Sequence, residues 1–436
     1  MRRLLFCALA IWTVTSGAGM ASTPAAPAPV DAPQLAPAGP LAVGVRSLTF
    51  VQPAQPDVLA AAAGKAPPRS DRVLPVDVWY PAEARPGAAP ATYAGALTGE
   101  DGRDVAFTIP GVAVRDASPH PGSYPLVILA HGYGGTPVAM SWLAENLASK
   151  GYVVVGPHFN DPPITDLAKF VGPLARRPLD IAFVAAEAQK RARAGERAFA
   201  AADPSRTVLI GYSMGGYGVL TGAGARLNPM LAAATHGVLA PFVEGGPAAA
   251  ELKVANVKAV VAISPAGRFV GAGAWGETGL AQVTAPTLFI AGDQDKVVGY
   301  EPGVKTLFDQ ERRAPRYLLT FENAGHSIGM DGAPSQMRAR LWDQDWFEDP
   351  VWRKNRVLGI EAHFITAFLG RYVKGEADKA AYLDVAEPIS DRAAWPAKDG
   401  DRYGAYSPGQ PPITVWKGFQ RAHSAGLELR FALPEP

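Results

Sequence analysis

The chain has 436 residues, and its 41 basic side chains nearly balance its 40 acidic ones, which leaves a formal net charge of +1. Such a balance gives no broad positive field of the kind that attracts nucleic acid or anionic lipid, so we predict no nucleic-acid partner. The length suffices for two average domains or for one large α/β domain with insertions, and we favour the single domain.

The N-terminus has the pattern of a secretory signal peptide over residues 1–21. Arg2-Arg3 precedes an apolar run from Leu4 to Val14, and small residues follow, so cleavage is expected after Ala18 or Ala21. The apolar run is too short to cross a membrane as a mature helix, so we predict no stable membrane span. The segment therefore predicts a secreted or periplasmic protein.

Two other export routes fit this segment less well. Cys7 would be the acylation site of a lipoprotein, but the bulky Phe6 and the position at the start of the apolar run argue against it. The residues around Arg2-Arg3 give little support for a twin-arginine signal. Cys7 is the one cysteine of the chain, so the mature protein is predicted to have no disulfide, no catalytic cysteine and no thiolate metal site.

The residues after the signal peptide divide the chain into three further parts. Residues 22–40 are nearly all alanine and proline, which predicts a disordered tether. Residues 41–385 form the predicted main domain, and residues 386–436 a C-terminal extension. Residues 227–256 and the residues beyond Asp331 are more than the sheet requires, so both are candidate cap elements.

The main domain changes from alternating to continuous apolar runs along the chain. Leu41–Val51 and Val73–Tyr80 alternate and predict antiparallel strands, whereas Asp104–Val114 fits either a strand or part of a surface hairpin. Continuous runs predict parallel strands covered on both faces: Leu126–Ala130, Tyr152–Gly156, Val208–Gly211, Val257–Ile263, Thr287–Ala291 and Tyr317–Phe321. Predicted helices are Ala139–Ser149, Pro178–Phe199, Tyr217–Ala225, Val304–Arg312 and Val357–Tyr372. The pattern predicts a mostly parallel, doubly wound α/β sheet.

The C-terminal extension carries less pattern. Gly400–Pro412 is loop-like, and Leu427–Phe431 predicts a strand whose partner the sequence does not identify.

The motif Gly211-Tyr212-Ser213-Met214-Gly215-Gly216 lies between a predicted strand and a predicted helix. Small residues two positions either side of Ser213 let neighbouring elements approach closely, while the serine hydroxyl projects above the sheet. The motif alone occurs by chance, but this context predicts a nucleophile elbow.

A serine hydroxyl is a weak nucleophile unless a base and an orienting acid lie beside it. The last two parallel runs end in suitable groups, since Asp293 and Asp295 follow the first and His326 follows the second. The carboxyl ends of parallel strands share one sheet edge, so these groups are expected near Ser213. We prefer Asp295 as the acid, because the residue directly after the glycine, Asp293, more often caps the turn.

An oxyanion formed at Ser213 needs two backbone N–H donors. We predict Met214, the residue after the serine, and Tyr133, which lies in the loop His131-Gly132-Tyr133-Gly134-Gly135 after an earlier strand. His131 belongs to this loop and precedes the serine, so we expect a structural role for it rather than that of the base.

Several other features have two interpretations each. His158, with Asn160, Asp161 and Pro162, either lines the pocket or is ordinary loop. Trp275 either reaches into the site from its loop or lies away from it. The side chains of Tyr133 and Met214 fit two roles equally well: part of an apolar binding wall, or an ordinary place in the core or at the surface.

An acidic segment contains Asp343, Asp345 and Glu348, interleaved with Trp342 and Trp346. It resembles a calcium loop only superficially, because it has no glycine turn and no bidentate glutamate at the required spacing. We interpret it as a solvated acidic segment, and we predict no metal and no cofactor.

These motifs resemble the serine α/β-hydrolase superfamily, and more narrowly the bacterial proteins described as predicted dienelactone hydrolases or platelet-activating-factor acetylhydrolase-like. The resemblance covers roughly residues 40–385. Its motifs are Leu74–Pro81, His131–Gly134, Arg177–Ile181, the elbow, Gly292–Asp295 and Asn323–His326. It implies an α/β-hydrolase fold with nucleophile, acid and base in that chain order.

Two departures limit what the resemblance implies. Dienelactone hydrolases use a cysteine where this chain has Ser213, and the acid of the animal acetylhydrolases would follow Ile263, where this chain has Ser264-Pro265. The elbow and the His-Gly-Tyr loop are also similar to secreted polyester hydrolases and cutinases, whose acid lies where Asp295 lies. Their stabilising disulfide is absent here, so a polymer substrate does not follow.

The signal-peptide pattern and the resemblance together imply a secreted or periplasmic serine hydrolase that cleaves a small-molecule or lipid-like carboxylic ester through an acyl-enzyme. Ser213, His326 and Asp295 would form its triad. An acyltransferase or a peptidase with the same triad is the alternative among enzymes. A catalytically silent binding module is the alternative outside them, although a complete triad argues against it.

Overall fold

The computed structural model describes residues 33–61, 67–269, 271–394, 413–419 and 424–435. The predicted signal peptide with Cys7, residues 22–32 of the predicted tether and the segment Gly400–Pro412 lie outside these residues. Within the described part, no helix is both long and apolar enough to cross a membrane.

Most strands of the described residues belong to one large sheet. In chain order the strands are β1 Ala42–Pro56, β2 Arg69–Ala82, β3 Thr92–Thr98, β4 Asp104–Pro110, β5 Val114–Arg115, β6 Tyr124–Ala130, β7 Val153–Pro157, β8 Ala202–Tyr212, β9 Val257–Ile263, β10 Arg268–Phe269, β11 Ala272–Gly273, β12 Thr287–Gly292, β13 Arg316–Phe321 and β14 Leu427–Ala432. The large sheet has the order β14-β13-β12-β9-β8-β6-β7-β2-β1-β5, while β3 pairs with β4 and β10 with β11.

The six central strands, β13, β12, β9, β8, β6 and β7, are parallel to their neighbours. Their residues are apolar and often β-branched on both faces; Val153, Val154 and Val155 of β7, for example, are all fully buried. The strands β1 and β2 continue the sheet on the β7 side in antiparallel fashion. The predicted mostly parallel α/β sheet is confirmed.

Helices cover both faces of this sheet. They are α1 Ser141–Ser149, α2 Val171–Arg193, α3 Met214–Gly222, α4 Met230–Ala234, α5 Gly276–Gly279, α6 Thr306–Gln310, α7 Leu341–Asp345 and α8 Lys354–Leu369. Leu143 of α1 and Phe364 of α8 belong to the core of one face, and Ile181 of α2 and Tyr217 of α3 to the core of the other. The two apolar layers hold the sheet between them.

The C-terminal extension supplies an edge strand. β14 pairs antiparallel with β13, from Leu427 opposite Phe321 to Ala432 opposite Arg316. The side chain of Leu429 is buried in the core. The partner that the sequence did not identify is therefore β13.

Residues 33–40 are not a free tether, contrary to the sequence-based prediction for residues 22–40. The backbone N–H of Leu35 donates to His363 Nδ1 at 3.1 Å, and its carbonyl oxygen accepts from Lys150 Nζ at 2.7 Å. The Gly39 N–H donates to the Ser149 hydroxyl at 2.8 Å. Polar groups of α1 and α8 thus satisfy this backbone, which composition alone does not reveal.

Candidate active site

Ser213 lies in a tight turn between β8, which ends at Tyr212, and α3, which begins at Met214. Its backbone has φ 54° and ψ −117°, a strained combination for a residue with a side chain. Gly215 permits the close approach, because a Cβ there would lie 2.1 Å from the Ala130 carbonyl oxygen. The turn has the geometry expected of the predicted elbow.

The elbow lies where the direction of strand addition reverses. In the sheet, β6 lies between β7 and β8, so the chain moves from β6 to one side and then returns to the other. A crevice forms at the carboxyl edge of such a sheet, between the loops that follow the two diverging strands. Here those loops carry Tyr133 after β6 and Ser213 after β8.

The structure brings the three predicted catalytic side chains into one hydrogen-bonded chain. His326 Nε2 lies 3.0 Å from the Ser213 hydroxyl oxygen, and His326 Nδ1 lies 2.7 Å from Asp295 Oδ2. These are the distances at which an imidazole can accept the proton of a serine hydroxyl while a carboxylate orients it.

Asp295 is held as an anion in a nearly closed environment. Its Oδ1 accepts the backbone N–H groups of Val297 and Val298 at 2.8 and 3.0 Å. Burial acts to raise the pKa of this carboxyl, but the hydrogen bonds from His326 and from both backbone groups outweigh burial and hold the pKa below its ordinary value. A carboxylate at this position favours the tautomer with hydrogen on Nδ1, which leaves Nε2 to accept from Ser213.

Asp293, the alternative acid, has a different partner. Its Oδ1 accepts the backbone N–H of Asn323 at 2.7 Å, so it ties the loops after β12 and β13 together. The geometry agrees with the sequence-based preference for Asp295 over Asp293.

The turn that carries His326 is fixed by neighbouring side chains. The Tyr212 hydroxyl donates to the His326 carbonyl oxygen at 3.1 Å, and Asp349 accepts the Gly325 N–H at 2.7 Å. Fixed positions on both sides of the imidazole keep its orientation without further ordering when a substrate binds.

The loop after β6 presents free backbone N–H groups beside the serine. A Cβ on Gly132 would lie 3.2 Å from the Ser213 Cβ, which shows how closely the loop approaches the elbow. The N–H groups of Tyr133 and Met214 donate to no acceptor among the described residues. Met214 begins α3, where the first N–H groups have no partner within the helix. Both predicted donors are therefore available to an oxyanion at Ser213.

His131 is engaged within its own loop. Its Nδ1 lies 2.7 Å from the Gly132 carbonyl oxygen, and its Nε2 accepts the Phe159 N–H at 3.3 Å. Burial, together with the nearby Arg177 guanidinium, lowers the pKa of His131 well below its ordinary value. A neutral ring that donates from Nδ1 and accepts at Nε2 has no nitrogen left for Ser213.

Replacing His131 with glutamine should therefore have a small effect. Glutamine can donate one hydrogen bond and accept another, so we expect kcat/KM to fall no more than about tenfold. His326→Gln, which removes the predicted base, should lower kcat/KM by a factor on the order of 10⁴ or more. Steady-state hydrolysis of a nitrophenyl ester by the two variants checks this, and equal losses would contradict the assigned roles.

Two comparisons with known proteins bear on this geometry. The family described as PETase, PET hydrolase-like, matches residues 115–246, which include β6, the elbow and α3. Among solved structures, the ferulic acid esterase from Streptomyces cinnamoneus is similar, with a TM-score of 0.52 and 20% sequence identity over 78% of this chain and 92% of that chain. The chain has an α/β-hydrolase fold. The family match over these residues supports a carboxylic ester hydrolase, while a search of curated proteins finds no match.

Arg177 lies beneath the loop His131–Gly135, the predicted oxyanion loop, and is 1% exposed. Its Nη2 pairs with Asp161 at 2.5 Å and lies 3.5 Å from the Gly132 carbonyl oxygen. Asp161 in turn accepts the Gly134 N–H at 3.1 Å, and the guanidinium lies 3.7 Å from the centre of the Phe159 ring. The buried ion pair thus holds both sides of the loop. Sequence reasoning noted Arg177 only as part of a family motif.

Replacing Arg177 with methionine should strongly destabilise the hydrolase. The change leaves the Asp161 carboxylate buried without its partner, which typically costs about 3–5 kcal/mol of the free energy of unfolding. Urea unfolding would measure the loss. The double variant Arg177→Met with Asp161→Asn should recover much of the lost free energy of unfolding, because no buried charge remains at this position. A single variant as stable as wild type would contradict this account.

Beside Ser213 the hydrolase has a cavity of about 590 Å³. Its walls come from the oxyanion loop, the turn before α1, the segment before α2, the loops that carry Asp295 and His326, and residues 342–350. Apolar side chains dominate them: Tyr133, Met140, Ile164, Leu167, Trp342 and Trp346. Such walls suit the apolar part of an ester.

The acidic segment is not simply solvated, so that prediction was wrong. Asp343 is 3% exposed and accepts the Glu100 N–H at 3.2 Å, and Trp346 Nε1 donates to the Thr98 carbonyl oxygen at 3.1 Å. These bonds fasten α7 to the hairpin of β3 and β4 and turn Trp346 towards the cavity. Across the described residues, no cluster of three or more His, Cys, Asp or Glu side chains is placed to hold a metal ion.

Two other candidates lie away from the cavity. Trp275 is 1% exposed and donates from Nε1 to the Thr221 hydroxyl at 3.0 Å, so it belongs to the core. Residues 227–256, a candidate cap, bury Leu231 and Leu239 in that same core and contribute no residue to the cavity wall. Of the two candidate caps, the residues beyond Asp331 are the ones that reach the site.

Proposed function

We propose that this hydrolase cleaves carboxylic esters with Ser213 as nucleophile, His326 as general base and Asp295 as the orienting acid. The observation that carries the proposal is the hydrogen-bonded chain from Asp295 through His326 to a serine in a strained elbow. Structural motifs rarely place a buried carboxylate, an imidazole and a strained serine in this order without a chemical role.

In the first step, the Ser213 oxygen attacks the ester carbonyl carbon while its proton moves to His326 Nε2. The carbonyl oxygen gains negative charge, which the N–H groups of Tyr133 and Met214 stabilise by hydrogen bonds that strengthen in the transition state. The tetrahedral intermediate collapses when His326 donates that proton to the leaving alcohol oxygen. The product is an acyl-enzyme on Ser213.

The second step repeats the chemistry with water. His326 takes a proton from the water as its oxygen attacks the acyl carbon, the same two N–H groups hold the oxyanion, and the proton returns to the Ser213 oxygen. The acid leaves and the serine is restored.

We also propose that residues 1–21 direct export and are removed. Intact-mass analysis and N-terminal sequencing of protein recovered outside the cytoplasm should find the mature chain beginning at Gly19 or Ser22. Recovery of full-length protein in the cytoplasm alone would contradict export.

A nitrophenyl ester series from acetate to long-chain acids tests the activity. The proposal expects saturable hydrolysis, with acyl preference set by the apolar cavity. Assays on short amides and product analysis with added alcohols separate a peptidase and an acyltransferase from an esterase. Folded protein that hydrolyses none of the esters would overturn the proposal.

A further inference from the structure

A second cavity, of about 500 Å³, lies on the other side of the oxyanion loop. Gly135 and Thr136 line both this cavity and the catalytic one. It therefore opens beside the carboxyl ends of β6 and β7, and the oxyanion loop separates it from Ser213.

The lining of this second cavity is polar, in contrast to the catalytic cavity. Thr98, Asp104, His158 and Asn160 contribute hydrogen-bonding side chains. Asp104 and Asn160 are exposed, and His158 is half-buried. Among the described residues that line it, none is a lysine or an arginine, so nothing there would neutralise a phosphate or a carboxylate.

His158 is held in place with one nitrogen free. Its Nε2 lies 2.9 Å from Asp77 Oδ2, and Asp77 also accepts the Ser47 hydroxyl at 2.5 Å. Burial acts to raise the pKa of Asp77, but the bonds from His158 and Ser47 lower it below its ordinary value. Nε2 is thus the donor to a carboxylate, and Nδ1, which has no partner among the described residues, can accept from a ligand.

The strand β3 adds backbone groups to this lining. It pairs only with β4 among the described residues, so its other edge is unpaired. Its cavity-lining residues Ala94, Gly95 and Ala96 have side chains too small to cover that edge. The cavity thus combines carboxylate and imidazole acceptors with amide, hydroxyl and backbone groups that include both hydrogen-bond donors and acceptors.

We propose that this cavity binds the alcohol part of the ester, and that this alcohol carries several hydroxyl groups, as a sugar or another polyol does. Neutral hydroxyls both donate and accept hydrogen bonds, which matches a polar lining without cations. The acyl part then lies against the apolar walls beside Ser213. This inference rests on the proposed function, because it assigns the two halves of one ester to two cavities.

The test compares the glucose 6-O-ester and the methyl ester of the acid that the nitrophenyl series selects. Wild type should have a KM about tenfold lower for the glucose ester, the size expected of one or two added hydrogen bonds. Asp104→Ala removes an acceptor and Ala96→Trp fills the cavity, so either should bring the two KM values within about twofold of each other. Glu100→Gln, an exposed carboxylate of the same hairpin that does not line the cavity, is the control and should keep the ratio.

A binding measurement separates this inference from catalysis. Saturation-transfer NMR should detect methyl glucoside on the Ser213→Ala protein and lose the signal in the double variant with Ala96→Trp. If wild type hydrolyses nitrophenyl esters but shows equal KM values and no glucoside signal, the inference is wrong and the esterase stands. If glucoside binds but no ester is cleaved, the site stands and the proposed function is wrong.

Discussion

Replacing Ser213 with alanine is expected to lower kcat for nitrophenyl ester hydrolysis by a factor on the order of 10⁴ to 10⁶. The change removes the atom that we propose forms the acyl-enzyme and leaves only the binding groups and the proposed oxyanion donors. The protein should stay folded, because the side chain is small and its hydroxyl bonds to no described residue but His326. Steady-state kinetics with a circular dichroism spectrum of the variant make the measurement.

The chain offers a matched control serine for this experiment. Ser264 also follows a strand of the sheet, has a positive φ of 40° and is fully buried. Its hydroxyl is buried with no hydrogen-bond partner in the described part of the chain, and it does not line the cavity beside Ser213. Ser264→Ala should keep kcat within about threefold of wild type, because no reacting atom is lost. A Ser213→Ala protein that retained more than a hundredth of wild-type kcat would contradict the assignment.

The second large effect is expected from Asp295. Asp295→Asn preserves the shape of the side chain but removes the charge, and it favours the histidine tautomer with hydrogen on Nε2. That nitrogen can then no longer accept the serine proton, so kcat should fall by about 10⁴.

Asp293→Asn is the control for this change, since it lies two residues away in the same loop. Its amide oxygen can still accept the Asn323 N–H, so activity should stay within about threefold of wild type. The comparison is made by kcat at a pH where the wild type is fully active. A larger loss from Asp293→Asn than from Asp295→Asn would exchange the roles of the two carboxylates.

The parallel strands and their ends were predictable from the sequence. Buried parallel strands are short and apolar throughout, so β6, β7, β9, β12 and β13 stand out against polar helices. Since the carboxyl ends of such strands share one edge of the sheet, the strand pattern alone predicted that Asp295 and His326 lie near Ser213.

Helix boundaries were less predictable. Pro178 marked the expected start of a helix, because proline is favoured in the first turn. It lies instead inside α2, which begins at Val171. The neighbouring Arg177 and Asp180 are buried in ion pairs with Asp161 and Arg72, so tertiary contacts outweigh the local preference.

Long-range pairings left no local pattern. β14 is recognisable as a strand, but nothing in Leu427–Ala432 names β13 as its partner. The residues around Leu35 have the composition of a tether and are nevertheless held by α1 and α8. In both cases the deciding groups lie far away in the chain.

The walls of the cavity beside Ser213 were the part of the site that the sequence-based prediction missed most. Trp342 and Trp346 were noted only as neighbours of carboxylates, because a segment with Asp343, Asp345 and Glu348 looks polar. The four-residue spacing of Trp342 and Trp346 was the available signal, since it places both side chains on one face of a helix. Which face meets the cavity depends on the bonds to the β3–β4 hairpin, which the sequence does not show.

The central claim is that Ser213 is a nucleophile activated by His326. A fluorophosphonate reacts with such a serine to form a stable covalent adduct, so intact-mass and peptide mass spectrometry of the folded protein test it directly. We expect one adduct per chain on the peptide that contains Ser213, no adduct in Ser213→Ala, and strongly slowed labelling in His326→Ala. Folded wild type that stays unlabelled, or that carries the adduct on another residue, would contradict the claim.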